Sequence, residues 1–205
     1  MKIYFVRHGK TQWNQERRLQ GMTGDSPLLP EALVEIAALG DYLSDIKFDA
    51  IFSSPAKRAI DTATILSEHN HQSQDIVKKT ELFEWNLGIF EGMLIDEAHK
   101  KDPENMAAFR HHPEQFWGNP IGAENLGDVY RRFIRFMDWL SKQNYDNVLV
   151  VSHGAFLSST IKMLTGTPIG ELRPGGVGLD NNTLSIVNYD GDKYTLTQWN
   201  EKHGR

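Results

Sequence analysis

Cysteine is missing from all 205 residues. Its absence excludes disulfide frameworks, thiolate zinc sites, iron–sulfur clusters and cysteine nucleophiles together, and it suits a reducing compartment. No apolar run approaches the ~20 residues of a helical membrane span. The opening MKIYFVRHG has one Lys and few apolar residues before Arg7 and His8, unlike a secretory leader. A basic excess is also missing: 22 Lys and Arg stand against 27 Asp and Glu, a net charge of −5. That balance argues against nucleic acid as a partner. Internal repeats, low-complexity tracts and Pro/Gly/Ser linkers are absent too. The expectation is a cytoplasmic globular protein with no membrane partner. It forms one domain over 1–205, and a chain of this length buries roughly 70% of its unfolded surface without a staple.

What is present is a regular alternation. Lys2–Val6 (KIYFV) reads as a strand and stops at Arg7-His8-Gly9. From Glu31 a helix follows, with Leu33, Ile36, Ala37, Gly40 and Leu43 on one face. Asp49–Ser53 reads as a second strand. Ser54-Pro55 then reads as a helix cap with proline at the first helical position, and Ala59, Thr62, Ala63 and Leu66 stripe the helix. Asp75–Thr80 is a third strand. Leu126, Val129, Tyr130, Phe133, Met137 and Leu140 form the strongest helical stripe, with Arg131, Arg132 and Arg135 on its solvated side. Asn147–Ser152 (NVLVVS) is a continuous apolar run bounded by polar residues, as a strand buried on both faces should be, and another helix begins after Gly154. Thr183–Tyr189 and Lys193–Trp199 flank Asp190-Gly191-Asp192 as a hairpin. The pattern predicts an α/β three-layer sandwich: a mostly parallel central sheet with an antiparallel edge, and helices on both faces.

Such sheets bind ligands beyond the carboxyl ends of their strands. Arg7-His8-Gly9, Ser53-Ser54 before Arg58, and Ser152-His153-Gly154 all follow predicted strands, so they should converge. Two arginines and two histidines make a cationic pocket in an acidic protein. An arginine about 4 Å from a negative charge contributes on the order of 4 kcal/mol at an effective dielectric near 20. Its planar fork matches phosphoryl oxygens, and Arg58, on the first turn of its helix, adds charge to an anion-attracting terminus. Neighbouring positive charge disfavours imidazolium, leaving a ring nitrogen able to attack phosphorus. An alkoxide leaving group needs a proton. Glu84, within Leu82-Phe83-Glu84-Trp85, is the candidate acid, its apolar neighbours raising its pKa; Glu81, Glu91 and Glu97 are its competitors. His69, His71, His111 and His112 fit solvated loop residues better than metal ligands. Phe83, Trp85, Phe90, Phe109, Phe116 and Trp117 form either a substrate-sorting lid or the core of an insertion at about 83–125.

These blocks resemble a known family. Val6-Arg7-His8-Gly9, Thr11-x-Trp13-Asn14, Arg18-Leu19-Gln20-Gly21 with Asp25-Ser26-Pro27-Leu28, Ser53-Ser54-Pro55-Ala56-Lys57-Arg58-Ala59, Glu84 with Glu91-Gly92, and Val151-Ser152-His153-Gly154 stand in the order seen in the histidine phosphatase superfamily, phosphoglycerate-mutase-like branch. The departures are Lys10 at an often acidic place, Leu29-Pro30-Glu31-Ala32 after the usual Pro-Leu, and Gly122-Ala123-Glu124-Asn125, which only approximates the family block. The resemblance implies that His8 becomes phosphohistidine. Arg7, Arg58, His153, Asn14 and Gly154 would belong to the phosphate pocket, and Glu84 would act first as acid and then as base. It implies a histidine acid-type phosphatase acting on a small phosphorylated substrate without metal or organic cofactor. The alternatives are a phosphoglycerate mutase, whose long insertions this chain lacks, and a non-catalytic phosphate-binding regulator.

Overall fold

A computed structural model describes residues 1–70, 75–173, 176 and 178–203. β1 (Lys2–Arg7) leads through the one-turn α1 (Gln12–Gln15) to α2 (Pro30–Tyr42), β2 (Ala50–Ser53), α3 (Lys57–His69) and β3 (Ile76–Lys78). The segment after β3 holds α4 (Ile95–Lys101) and α5 (Pro103–His111) among short 3₁₀ turns. Then come α6 (Leu126–Ser141), β4 (Asn147–Ser152), α7 (Gly154–Leu164) and the hairpin β5 (Leu184–Tyr189) and β6 (Tyr194–Glu201).

The sheet order is β3-β2-β4-β1-β5-β6. β3, β2, β4 and β1 are parallel, and β5 runs antiparallel to both of its neighbours. The strand period of two sorts β1 and β4 into two cores. Ile3, Phe5, Val148 and Val150 face α6, α7 and the segment after β3. Tyr4, Val6, Leu149 and Val151 face α2 and α3. The chain leaves β1 toward β2 on one face and leaves β4 toward β5 on the other. The crevice between β1 and β4 is therefore the switch point where ligands collect.

Three local expectations need correction. α2 buries Ala32, Ile36, Leu39 and Gly40, while Leu33 is 44% exposed. The helical spacing fits either phase, and contact with the strand end selects the observed one. A β-carbon on Gly9 would lie 2.6 Å from Ile36 Cδ1, so the glycine lets α2 close onto the end of β1. The second concerns Ser54, which does not cap α3. That helix starts at Lys57, whose N–H donates to Asp25 Oδ2 at 2.7 Å; Ser54 Oγ is engaged by Ala56 N–H and the His153 ring. Arg132 is the third, being buried rather than solvated. It lies three residues after Val129 and four before Phe136, inside the apolar stripe.

The aromatic residues of 83–125 are mainly core. Trp85, Phe90, Phe109 and Phe116 are buried and continuous with the α6–α7 cluster, with Trp85 edge-on to both Phe109 and Phe116. Trp117 is 68% exposed.

Candidate active site

The sheet register brings the sequence blocks together. Arg7 pairs with Ser152 and Ser53 with Val151, so three parallel strands end flush. The ladder continues one residue further, as His8 N–H donates to Ser152 O and Ser54 N–H to Val151 O, each at 3.0 Å. The His8 and His153 rings consequently stand 5.3 Å apart. A cavity of ≈ 320 Å³ opens at this end. Arg7, His8, Asn14, Glu84 and Gly154 line it; His153 and Arg58, at 0% and 1% exposure, lie buried beside it.

His8 Nδ1 lies 2.8 Å from Gly9 O. A carbonyl can only accept, so Nδ1 carries the proton and Nε2 keeps its lone pair. Burial, then the charges of Arg58 and Arg7, hold His8 well below the usual histidine range. The ring is neutral at physiological pH. His153 is depressed likewise, chiefly by burial and then by Arg58. Ser54 Oγ accepts from Ala56 N–H at 3.3 Å, and its own proton is available for His153 Nε2 at 2.7 Å. That arrangement places the single ring proton on Nδ1, which has no partner among the described residues.

The arginines show the same incompletion. Arg7 Nη1 donates to Leu179 O and burial lowers its pKa to about 10, so it stays cationic. Arg58 donates to Gly24 O at 2.7 Å, Gly21 O at 3.0 Å and Asp25 Oδ1 at 3.2 Å. Its α3 position thus ties the 21–25 loop under the site. In both residues Nε is buried without a partner among the described residues. Buried donors are normally satisfied; here three of them flank one neutral imidazole. Asn14 Oδ1 accepts from Thr11 N–H and Asn181 Nδ2, each at 3.1 Å, which leaves the Asn14 amide protons for the cavity.

Glu84 is 6% exposed, and its setting is more polar than its sequence neighbours suggested. Oε1 accepts from Trp85 N–H at 2.9 Å and Phe156 N–H at 2.7 Å. Among the described residues Oε2 accepts only Ala155 N–H, at 3.0 Å, so it has the spare lone pair. Arg132 fixes the loop from behind: its donors reach Glu81 O, Phe83 O and Glu84 O, and its fork grips both oxygens of Glu124. The competing carboxylates serve elsewhere. Glu91 gathers the N–H groups of Gly21, Gly24 and Leu87, and Glu97 caps α4 through Leu94 N–H. Neither lines the cavity.

Arg173 is a cavity residue that sequence reading missed. Its signal was topological: a strand antiparallel to β1 begins where β1 ends, so the α7–β5 connection must pass the site. Among the described residues no cluster of three or more His, Asp or Glu could hold a metal. His69 pairs with Asp41 and His112 with Glu114, while His71 lies outside the described residues.

The model of the histidine phosphatase superfamily (branch 1) matches residues 3–202. The uncharacterized phosphatase PhoE of Bacillus subtilis is 32% identical over 202 residues, covering 97% of this chain and 93% of PhoE. Phosphoserine phosphatase 1 of Hydrogenobacter thermophilus is 27% identical, covering 98% and 92%. Among solved structures, Bacillus stearothermophilus YhfR superposes with a TM-score of 0.88 at 28% identity, covering 98% of this chain and 96% of that one. The branch corrects the finer label of a histidine acid-type phosphatase, which belongs to a different subfamily. No helix among the described residues is long and apolar enough to cross a membrane.

Proposed function

Because the chain belongs to the histidine phosphatase superfamily, branch 1, we propose that it hydrolyses small phosphomonoesters with His8 as nucleophile and Glu84 as acid and base. His8 Nε2 attacks phosphorus as the ester P–O bond breaks, and Glu84 gives its proton to the departing oxygen. Water, deprotonated by Glu84, then cleaves the P–N bond and releases orthophosphate. Arg7, Arg58, His153 Nδ1 and the Asn14 amide hold the phosphoryl oxygens and stabilise the charge that develops on them. The scheme calls for no metal or organic cofactor. The chain acts as one unit over 1–205, with 83–125 forming a wall of the site, and the cytoplasm suits a chain that lacks cysteine. One observation carries the reading: buried donors without partners among the described residues flank a neutral imidazole whose Nε2 is unprotonated.

The test compares orthophosphate release from p-nitrophenyl phosphate and a panel of phosphorylated metabolites with interconversion of the two phosphoglycerates. Release should dominate. Efficient interconversion with negligible release would make the protein a mutase, and neither activity alongside tight phosphate binding would make it a regulator.

Gly154 supplies a test of the cradle. A β-carbon there would lie 2.8 Å from Arg7 Nε and 2.9 Å from Cζ, and Arg7 is tethered to Leu179 O. Gly154→Ala should therefore weaken orthophosphate or vanadate binding by on the order of tenfold or more. An affinity within twofold of wild type would remove Arg7 Nε from the phosphoryl group.

A further inference from the structure

Beyond the phosphoryl cradle, the cavity changes character. Leu87, Ile95, Met106 and Phe109 give it an apolar wall. Among the described residues four arginines line it, Arg7, Arg18, Arg110 and Arg173, against one acidic residue, Glu84. Arg7 belongs to the phosphoryl group under the reading above. Arg18 is held by Glu16 Oε2 at 3.1 Å and Gly92 O at 2.6 Å. Arg110 and Arg173 have no such assignment.

Arg173 is 4% exposed. Its Nη1 donates to Phe109 O at 2.6 Å and its Nη2 to Ala155 O at 2.7 Å, while Nε is buried without a partner among the described residues. Burial lowers its pKa to about 10, so the group remains charged at neutral pH. It has carbonyl partners but, among the described residues, no carboxylate bonded to it. The peptide it grips joins directly to Arg110, on the last turn of α5. Arg110 is half-buried and has no ion pair or hydrogen bond among the described residues. The two elements meet closely, since a β-carbon on Gly176 would lie 2.4 Å from His111 Cε1. Two cations with no carboxylate bonded to either among the described residues are thus held on adjoining walls of one small cavity, where Glu84, which already serves the reacting end, is the acidic group that acts on Arg173 through space. Burying charge without an opposite charge is costly, and a ligand that brings the missing anion recovers that cost.

We infer that Arg110 and Arg173 form a second anion subsite, so that the preferred substrates are phosphomonoesters whose leaving group carries a carboxylate beyond a short apolar span. The inference rests on the phosphomonoesterase reading. A carboxylate fits better than a second phosphoryl group: two of the five N–H groups of Arg173 are already given to carbonyls, Arg110 adds one fork, and the space left beside the first phosphoryl group is small. The volume of ≈ 320 Å³ sits at the low end of small-ligand sites, roughly 300–1,000 Å³, and the first phosphoryl group occupies part of it.

The probes are phenyl phosphates bearing a meta carboxymethyl, carboxamidomethyl or aminomethyl group, together with the matching benzylphosphonates, which cannot be hydrolysed at phosphorus. The wild-type protein should favour carboxymethyl over its near-isosteric amide by about tenfold in kcat/KM, and by a similar factor in phosphonate affinity measured calorimetrically. Arg110→Gln should bring that ratio close to one, and Arg110→Glu should turn the preference toward the aminomethyl probe. A wild-type ratio near one overturns the subsite, as does a carboxylate preference that survives Arg110→Glu. Absence of turnover with every ester would instead overturn the hydrolase reading, and the phosphonate affinities would still decide the subsite.

Discussion

His8→Ala should lower kcat by on the order of 10⁴-fold or more, because the substitution removes the atom that bonds to phosphorus rather than one that assists it. Orthophosphate should still bind, weakened, since Arg7, Arg58, Asn14 and His153 remain. The wild-type protein, quenched in denaturant at alkaline pH during turnover of a ³²P-labelled ester, should carry label that acid releases, as a P–N bond requires; His8→Ala should carry none. The pH behaviour follows from the same burial. Protonation removes the lone pair of Nε2, and the folded-state pKa of His8 is depressed well below 6.5 by burial and the two arginines. The nucleophile is therefore present at pH 6.5 and is lost only as pH falls well below that value. Ring-selective NMR of His8 in the unliganded protein should show neutral imidazole at pH 6. A titration midpoint at 6.5 or above would mean that neither burial nor the arginines press on this ring, and wild-type turnover by His8→Ala would end its role as nucleophile.

The convergence of the site was legible because strand polarity is a topological consequence of alternation. Once β1, β2 and β4 read as parallel, Arg7-His8, Ser53-Ser54 and Ser152-His153 had to share an end, however far apart in the chain. The hairpin was equally clear from Asp190-Gly191-Asp192 between two strand patterns. Legibility failed where a residue's partner came from a distant segment. Ser54-Pro55 has the local chemistry of a cap, but Asp25 takes that task and leaves Ser54 facing His153. Arg132 looks solvated beside Arg131 and Arg135. The carbonyls that satisfy it belong to the Glu81–Glu84 loop, which no helical periodicity reveals. Glu84 looked apolar from Phe83 and Trp85, yet two of its three amide donors come from the start of α7. Local sequence reports propensity and side; it does not report what the other wall of a pocket supplies.

Glu84→Gln should separate the two halves of the reaction. The substitution is isosteric but not electrically silent. A glutamine can keep its oxygen at the Oε1 position, where Trp85 and Phe156 N–H donate. Its NH₂ must then face Ala155 N–H, where a donor meets a donor. Some loss of position is expected for every substrate. The diagnostic is therefore a difference between leaving groups. p-Nitrophenolate departs without help, so phosphorylation of His8 by p-nitrophenyl phosphate should slow by less than about tenfold, seen as a burst of one nitrophenolate per site. An alkyl ester must expel an alkoxide, and losing the acid should slow its phosphorylation step by about 10²–10⁴-fold. Hydrolysis of the phosphohistidine also loses its base, so with the aryl ester the labelled intermediate should accumulate and the steady-state rate should fall after the burst. Equal slowing of the aryl and alkyl phosphorylation steps would show that Glu84 only shapes the pocket. The proton would then have to come from another group, and the spare lone pair of Oε2 would have no chemical purpose.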